Sequence, residues 1–194
     1  MSGDSGEVDE LLLPPDLAPD AVRPLVGART VRLEGETMGT TWSLHAAVAP
    51  DVADASLRTV LERGFARVIA QMSQWEPESE ISRFNRADPG TRFTLSPEFA
   101  YVLDCALGIA RASDGAFDPT LGGASELWGF GAGAAPMHRP GAAEAAATRR
   151  HDWRDLVPEN GGLAVVQPGG LALDLSGIAK GFAVDLGLRW LKTL

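Results

Sequence analysis

The chain has 194 residues, 45% hydrophobic and 22% charged, the composition of a globular domain long enough to bury a real apolar core. No run of about 18 apolar residues occurs, so no membrane-spanning helix is expected. A net charge of −9 without any basic stripe argues against nucleic-acid binding and against attraction to an anionic membrane surface.

Residues 1–28 read as a loosely attached arm. Asp4, Glu7, Asp9, Glu10, Asp16 and Asp20 carry most of the net charge, no Lys or Arg precedes Arg23, and Pro14, Pro15, Pro19 and Pro24 punctuate the segment. The early residues are acidic rather than basic, and Leu11–Leu13 is shorter than the roughly 7–15 residues of a secretory core. A cytoplasmic chain is therefore expected, the alternative being a periplasmic or exported one whose signal is absent from these residues. Residues 29–194 form the domain proper.

ARTVRLEGETMGTTWSLHAAV alternates well enough for two strands, 29–36 and 40–48, joined at Met38-Gly39. Trp42, Leu44, Ala46 and Val48 fall on one face of the second. Asp54 is the expected N-cap of a helix reaching about residue 74, with Leu57, Leu61, Phe65, Val68 and Met72 as its buried stripe. SQWEPESEISRFNRADPG then reads as a long polar loop carrying Trp75, Glu80, Arg83 and Asn85.

Ser96-Pro97-Glu98 starts the next helix, with a capping side chain and proline in the first turn. Phe99, Leu103, Leu107 and Ala110 form its core face, and Gly115 its stop. Cys105, the only cysteine, excludes an intrachain disulfide and reads as a small buried residue of that helix. GAFDPTLGG and the glycine-rich LWGFGAGAAP follow, then an alanine-rich helix near 141–150. LAVVQPGGLALDL predicts a hairpin turning at Pro168-Gly169-Gly170. The final helix begins near Ile178, with Phe182, Leu186 and Trp190 on one face, and is still running at Leu194. Hairpins interspersed with helices, without regular βαβ alternation, predict an α+β fold: antiparallel sheets with packed helices, its C-terminal part missing.

Four clusters bear on chemistry, and each taken singly also reads as ordinary structure. Around Asp174-Leu175-Ser176-Gly177, a carboxylate precedes a helix start whose free amides favour phosphate, with Lys180 one turn on. The exposed carbonyl of such a turn also suits Mg²⁺, which takes oxygen donors. In SDGAFDPTLGG, Pro119 biases Asp118 to an extended conformation that presents its carboxylate outwards. Met38 offers a soft contact for a flat ring, and Trp75 a stacking surface. His45, His138 and His151 lack metal-ligand spacing, and no G-x-S-x-G elbow, Walker phosphate loop or dinucleotide fingerprint is present.

Taken in order, ETMGTTW, MSQWEPESEISRFN, SDGAFDPTLGG, LWGFG and LDLSGIAKGFAVD resemble the FAD:protein FMN transferases, the ApbE-like flavin transferases. The likeness runs over residues 36–185. It implies the fold of that family and Mg²⁺-dependent transfer of FMN from FAD to a Ser or Thr hydroxyl of an acceptor protein, with AMP released. It further implies that Met38, Trp75, Ala116, Phe117, Asp118, Asp174 and Lys180 contact FAD, with Lys180 also catalytic, and that the Gly177 carbonyl supplies one Mg²⁺ ligand. Ser79, Glu80 and Asn85 match the motifs and are expected only to shape their loop. The family's other Mg²⁺ ligands, an Asp and a Thr, and its H-x-I-x-D-P motif have no counterpart in these residues. The chain alone is thus expected to leave the metal site incomplete and not to turn over. The rival readings are an FAD pyrophosphatase with water as nucleophile, and a non-catalytic flavin-binding module.

Overall fold

The computed structural model describes residues 26–133, 136–148 and 151–194, so the expected acidic arm lies outside the described residues except for its last three. Strands β1 (Arg29–Thr37) and β2 (Thr40–Val48) pair antiparallel, Leu33 opposite Leu44 and Thr37 opposite Thr40. Met38 and Gly39 have φ of 50° and 69°. Two consecutive left-handed residues make the tight turn whose twist matches that of the strands. Val31 and Leu33 bury themselves against Leu57, with Trp42, Leu44 and Val48 packed alongside.

Helix α1 (Asp54–Met72) buries the predicted stripe in full. It opens one residue early. Ala53 holds the cap position and Asp54 lies in the first turn, where its carboxylate suits the positive dipole end and pairs with Arg29 Nη2 at 2.6 Å.

The expected long loop contains helix α2 (Glu80–Asn85). Ser79 caps it, accepting from Ser82 N–H at 3.1 Å and donating to Ser73 O at 2.7 Å, while Ile81 and Phe84 are fully buried. Two apolar residues in six are too few to show a period, so the helix is invisible to pattern.

Strand β3 (Arg92–Thr94) leads to α3 (Pro97–Ala112), whose core face includes the four predicted residues together with Val102 and Ala106. Ser96 occupies the cap position without capping: its hydroxyl donates to Glu80 Oε2 at 2.8 Å and its N–H to Glu80 Oε1 at 3.0 Å. Gly115 ends the helix as predicted, with φ of 81° and its N–H on Ala110 O. Cys105 is only half-buried.

Helix α4 (Gly122–Leu127) and helix α5 (Ala142–Ala147), shorter than expected, come next, and then a 3₁₀ turn at Asn160–Gly162. Strand β4 (Ala164–Val166) follows, and helix α6 (Ser176–Leu191) closes the described chain.

The predicted hairpin around Pro168 does not form. β4 pairs antiparallel with β3, Phe93 opposite Val165, while the segment beyond the turn takes other partners. Gln167, 1% exposed, is the cause. Its Nε2 donates to Phe84 O and Leu171 O at 2.9 and 3.1 Å, and its Oε1 accepts from Gly169 N–H at 3.0 Å. The turn is wrapped around a side-chain amide rather than closed by a ladder. Beyond it, Ala172 forms a parallel bridge with Leu121, Gly122 N–H donates to Ala172 O, and Asp174 N–H donates to Pro119 O.

α1 and α6 pack closely because glycines lie at the crossing. A Cβ at Gly64 would meet the Trp190 ring at 3.2 Å, and one at Gly187 would meet Leu61 Cδ2 at 2.9 Å. The architecture is the expected α+β class: among the described residues, two two-stranded antiparallel sheets flanked by helices. No helix there is long and apolar enough to cross a membrane.

Candidate functional site

Where α1 ends and α6 begins, a cavity of about 460 Å³ opens between them and the β1–β2 turn. Its floor is apolar: Val68, Ile69 and Met72 of α1 and Ala179 of α6. Met38 and Gly39 wall it from the turn, Trp75 from the chain just beyond α1, and Ser176 and Lys180 from the first two turns of α6. Three residues singled out in the sequence, Met38, Trp75 and Lys180, therefore meet at one cavity although 142 positions separate the first from the last.

Each reaches the cavity for a local reason. Met38 carries a left-handed backbone that non-glycine residues adopt at a cost, and this conformation is what a two-residue turn requires there. Trp75 is 58% exposed, a large aromatic surface that the core does not use. Lys180 is exposed and takes part in none of the ion pairs among the described residues.

The other expected residues do not line the cavity. Asp174 Oδ1 accepts from Ser176 N–H at 2.9 Å, and its Oδ2 accepts from Ser125 Oγ at 2.7 Å. Asp118 turns back on its own chain, accepting from Thr120 N–H at 2.8 Å and Thr120 Oγ1 at 2.6 Å, rather than standing outwards as the following proline suggested. Phe117 lies against the first turn of α6: a Cβ at Gly177 would stand 3.2 Å from Phe117 Cε2. Ala116 is exposed, next to this contact.

α6 begins at Ser176, two residues before the expected start, so Gly177 lies inside its first turn. Ile178 and Ala179 N–H both donate to Leu175 O, and Ser176 N–H is taken by Asp174. The helix thus satisfies most of its own first-turn donors.

Support for the site comes from residues whose part the sequence did not disclose. Asn85 clasps Leu173 from both sides, Nδ2 donating to Leu173 O at 2.9 Å and Oδ1 accepting from Leu173 N–H at 2.8 Å. An amide side chain stands in here for a neighbouring strand. Ser125 holds Asp174 from 49 positions away. Neither link has a local signature, since both are made by segments that meet only in the folded chain.

For a divalent cation, Gly177, expected to present an exposed turn carbonyl, instead lies within the first turn of α6, and the described residues hold no group of three His, Cys, Asp or Glu side chains able to bind a metal. Mg²⁺ wants near-octahedral oxygen coordination. Mg²⁺ commonly completes that coordination with water and phosphate oxygens, which would have to join whatever the protein supplies.

The ApbE family matches residues 38–194. The FAD:protein FMN transferase of Vibrio cholerae serotype O1 is 34% identical over 167 residues, covering 86% of this chain and 50% of that protein. Its counterpart from Haemophilus influenzae is also 34% identical, over 81% of this chain and 47% of its own length. The solved flavin transferase ApbE from Vibrio cholerae has a TM-score of 0.80 at 34% identity, over 86% of this chain and 54% of that one. The apo flavinyl transferase ApbE of Pseudomonas stutzeri gives 0.80 at 28% identity, over 88% and 57%. The chain spans about half the length of the curated relatives it matches. With sequence and fold agreeing across nearly all the described residues, the chain belongs to the ApbE family.

Proposed function

We propose that this chain is the N-terminal portion, over residues 29–194, of an enzyme that transfers FMN from FAD to a Ser or Thr hydroxyl of an acceptor protein, releasing AMP. Residues 1–28 are the arm of that domain. The observation that carries the reading is the single cavity lined by Met38, Trp75 and Lys180. It offers a soft apolar contact and an aromatic face for a flat ring, with a cation at the helix start for a pyrophosphate. The relatives named as FAD:protein FMN transferases support the same substrate.

In this reading the acceptor hydroxyl oxygen bonds to the FMN phosphorus while the P–O bond to the AMP phosphate breaks, and the hydroxyl proton passes to the departing phosphate or to solvent. Negative charge grows on the phosphate oxygens, and the Lys180 ammonium offsets it. The apolar floor excludes water from the ring. Asp174, Asp118 and the Ala116-Phe117 backbone bind polar groups of the dinucleotide. Mg²⁺, taken as a requirement of the reaction, neutralises phosphate charge when bound.

The test is in-gel flavin fluorescence of an acceptor protein after incubation with the full-length enzyme, FAD and Mg²⁺. The expected result is a covalently labelled acceptor, and no labelling when EDTA is present throughout the incubation. Free FMN and AMP with no labelled protein would instead identify a pyrophosphatase.

A further inference from the structure

Asp174 is anchored by more than its own turn. Its Oδ1 is taken by Ser176 N–H, a bond made within three residues, whereas its Oδ2 is taken by the Ser125 hydroxyl at 2.7 Å, 49 positions earlier in the chain. The backbone of Ser125 is held just as firmly. Its carbonyl accepts from Phe130 N–H at 2.8 Å and Gly131 N–H at 3.1 Å, which folds the LWGFG segment back onto α4. Gly122, three residues before, sits so tightly under the segment leading to Asp174 that a Cβ there would meet the carbonyl oxygens of Ala172 and Leu173 at 2.7 Å. The α4 segment and the segment carrying Asp174 are thus packed backbone against backbone, and Ser125 is the side chain through which α4 reaches the carboxylate.

A carboxylate has about four acceptor positions. With one donor fixed on each oxygen, Asp174 is left with open acceptor positions whose direction is set by those two bonds. We propose that Ser125 is a positioning residue for FAD binding: it locks the Asp174 carboxylate in one rotamer so that its free lone pairs receive a hydroxyl donor of the nucleotide, a sugar or ribityl OH. The assignment rests on the transferase reading above. A rotatable Asp174, held only by Ser176, would have to be ordered by the ligand itself, and that ordering weakens binding.

The experiment is FAD binding by flavin fluorescence titration and KM for FAD in the full-length protein, for wild type, Ser125→Ala, Ser125→Thr, Asp174→Ala and the double variant Ser125→Ala/Asp174→Ala. Losing a hydrogen bond to a charged group should weaken FAD affinity and raise KM about tenfold in Ser125→Ala, with kcat at saturating FAD changed much less. Ser125→Thr keeps the hydroxyl and should restore affinity. In the Asp174→Ala background, Ser125→Ala should have no further effect, since there is no carboxylate left to hold. Thermal melts identify any variant that fails to fold, and the Thr variant then decides the matter.

Unchanged affinity in Ser125→Ala, or losses that add fully in the double variant, overturns the assignment while leaving the transferase reading intact. Wild-type protein that binds no FAD overturns the transferase reading, and the assignment with it.

Discussion

The floor of the cavity and the start of α6 are built by different means. Val68, Ile69, Met72 and Ala179 come from helices whose apolar residues recur every three or four positions, and the floor is simply where two such stripes meet. At the start of α6, Asp174 is held by Ser125, Leu173 by Asn85, and the ring of Phe117 lies against Gly177. The floor is held by many interchangeable apolar contacts, the helix start by a few specific ones. Substitutions on the floor should therefore act on stability, and substitutions at the helix start on binding and turnover.

Met72→Ala tests the floor most severely. Met72 is 4% exposed, and its truncation should cost about 2–5 kcal/mol of folding stability, read by urea or thermal unfolding. A loss of flavin affinity with no loss of stability would break the distinction. Lys180→Ala tests the helix start: transfer by the full-length protein should fall about 10²-fold or more while the melting temperature holds, because the side chain is exposed. Equal transfer rates remove Lys180 from the mechanism. Trp75→Ala should weaken FAD binding by about 1–3 kcal/mol, by analogy with base stacking on aromatics. Its 58% exposure predicts little change in unfolding.

Met38 belongs to both regimes. Met38→Asn should raise stability by about 1 kcal/mol, since asparagine tolerates the left-handed region better, and should lower flavin affinity at the same time. A variant that gains both would deny the residue a binding role.

The smallest effect concerns pH. Burial pushes Glu98 upwards, but its own backbone N–H, the Arg67 guanidinium at 2.6 Å and the Gln71 amide outweigh it and hold the carboxyl below the usual glutamate range. A pKa lower in the folded state than in the unfolded one means that this link between α1 and α3 contributes fully above the unfolded value. Its contribution is lost as pH falls through the folded value. Glu98→Gln should flatten the acid limb of a melting-temperature profile while leaving flavin binding unchanged.

The same contrast explains what the sequence discloses. The stripes of α1 and α3 and the turn at Met38-Gly39 are local patterns, and they fold as read. The failed hairpin at Pro168 had equally good alternation and equally good turn residues. What it lacked was any sign that Gln167 would satisfy the turn from inside and that β3 would claim one arm. Helix α2 was hidden for a related reason: its stability comes from Ser79 and from burial of Ile81 and Phe84, not from a periodic face. Cap positions show a similar limit. Asp54 and Ser96 stand where helices begin, yet each spends its side chain on a distant partner. At the site, residue types and order were legible through family resemblance, and three of them do line one cavity. The Ser125–Asp174 and Asn85–Leu173 links were not, because nothing in one segment names the other.

Gly177 has a consequence for mutagenesis. A main-chain oxygen cannot be deleted by changing a codon, so any coordinating role it has is out of reach of ordinary substitution. What a codon change does alter is the bare α-carbon, and there the first atom added stands 3.2 Å from the Phe117 ring, which must shift slightly to admit it. A saturation scan at this position would therefore report the seating of Phe117, and only an amide-to-ester replacement would question the oxygen itself.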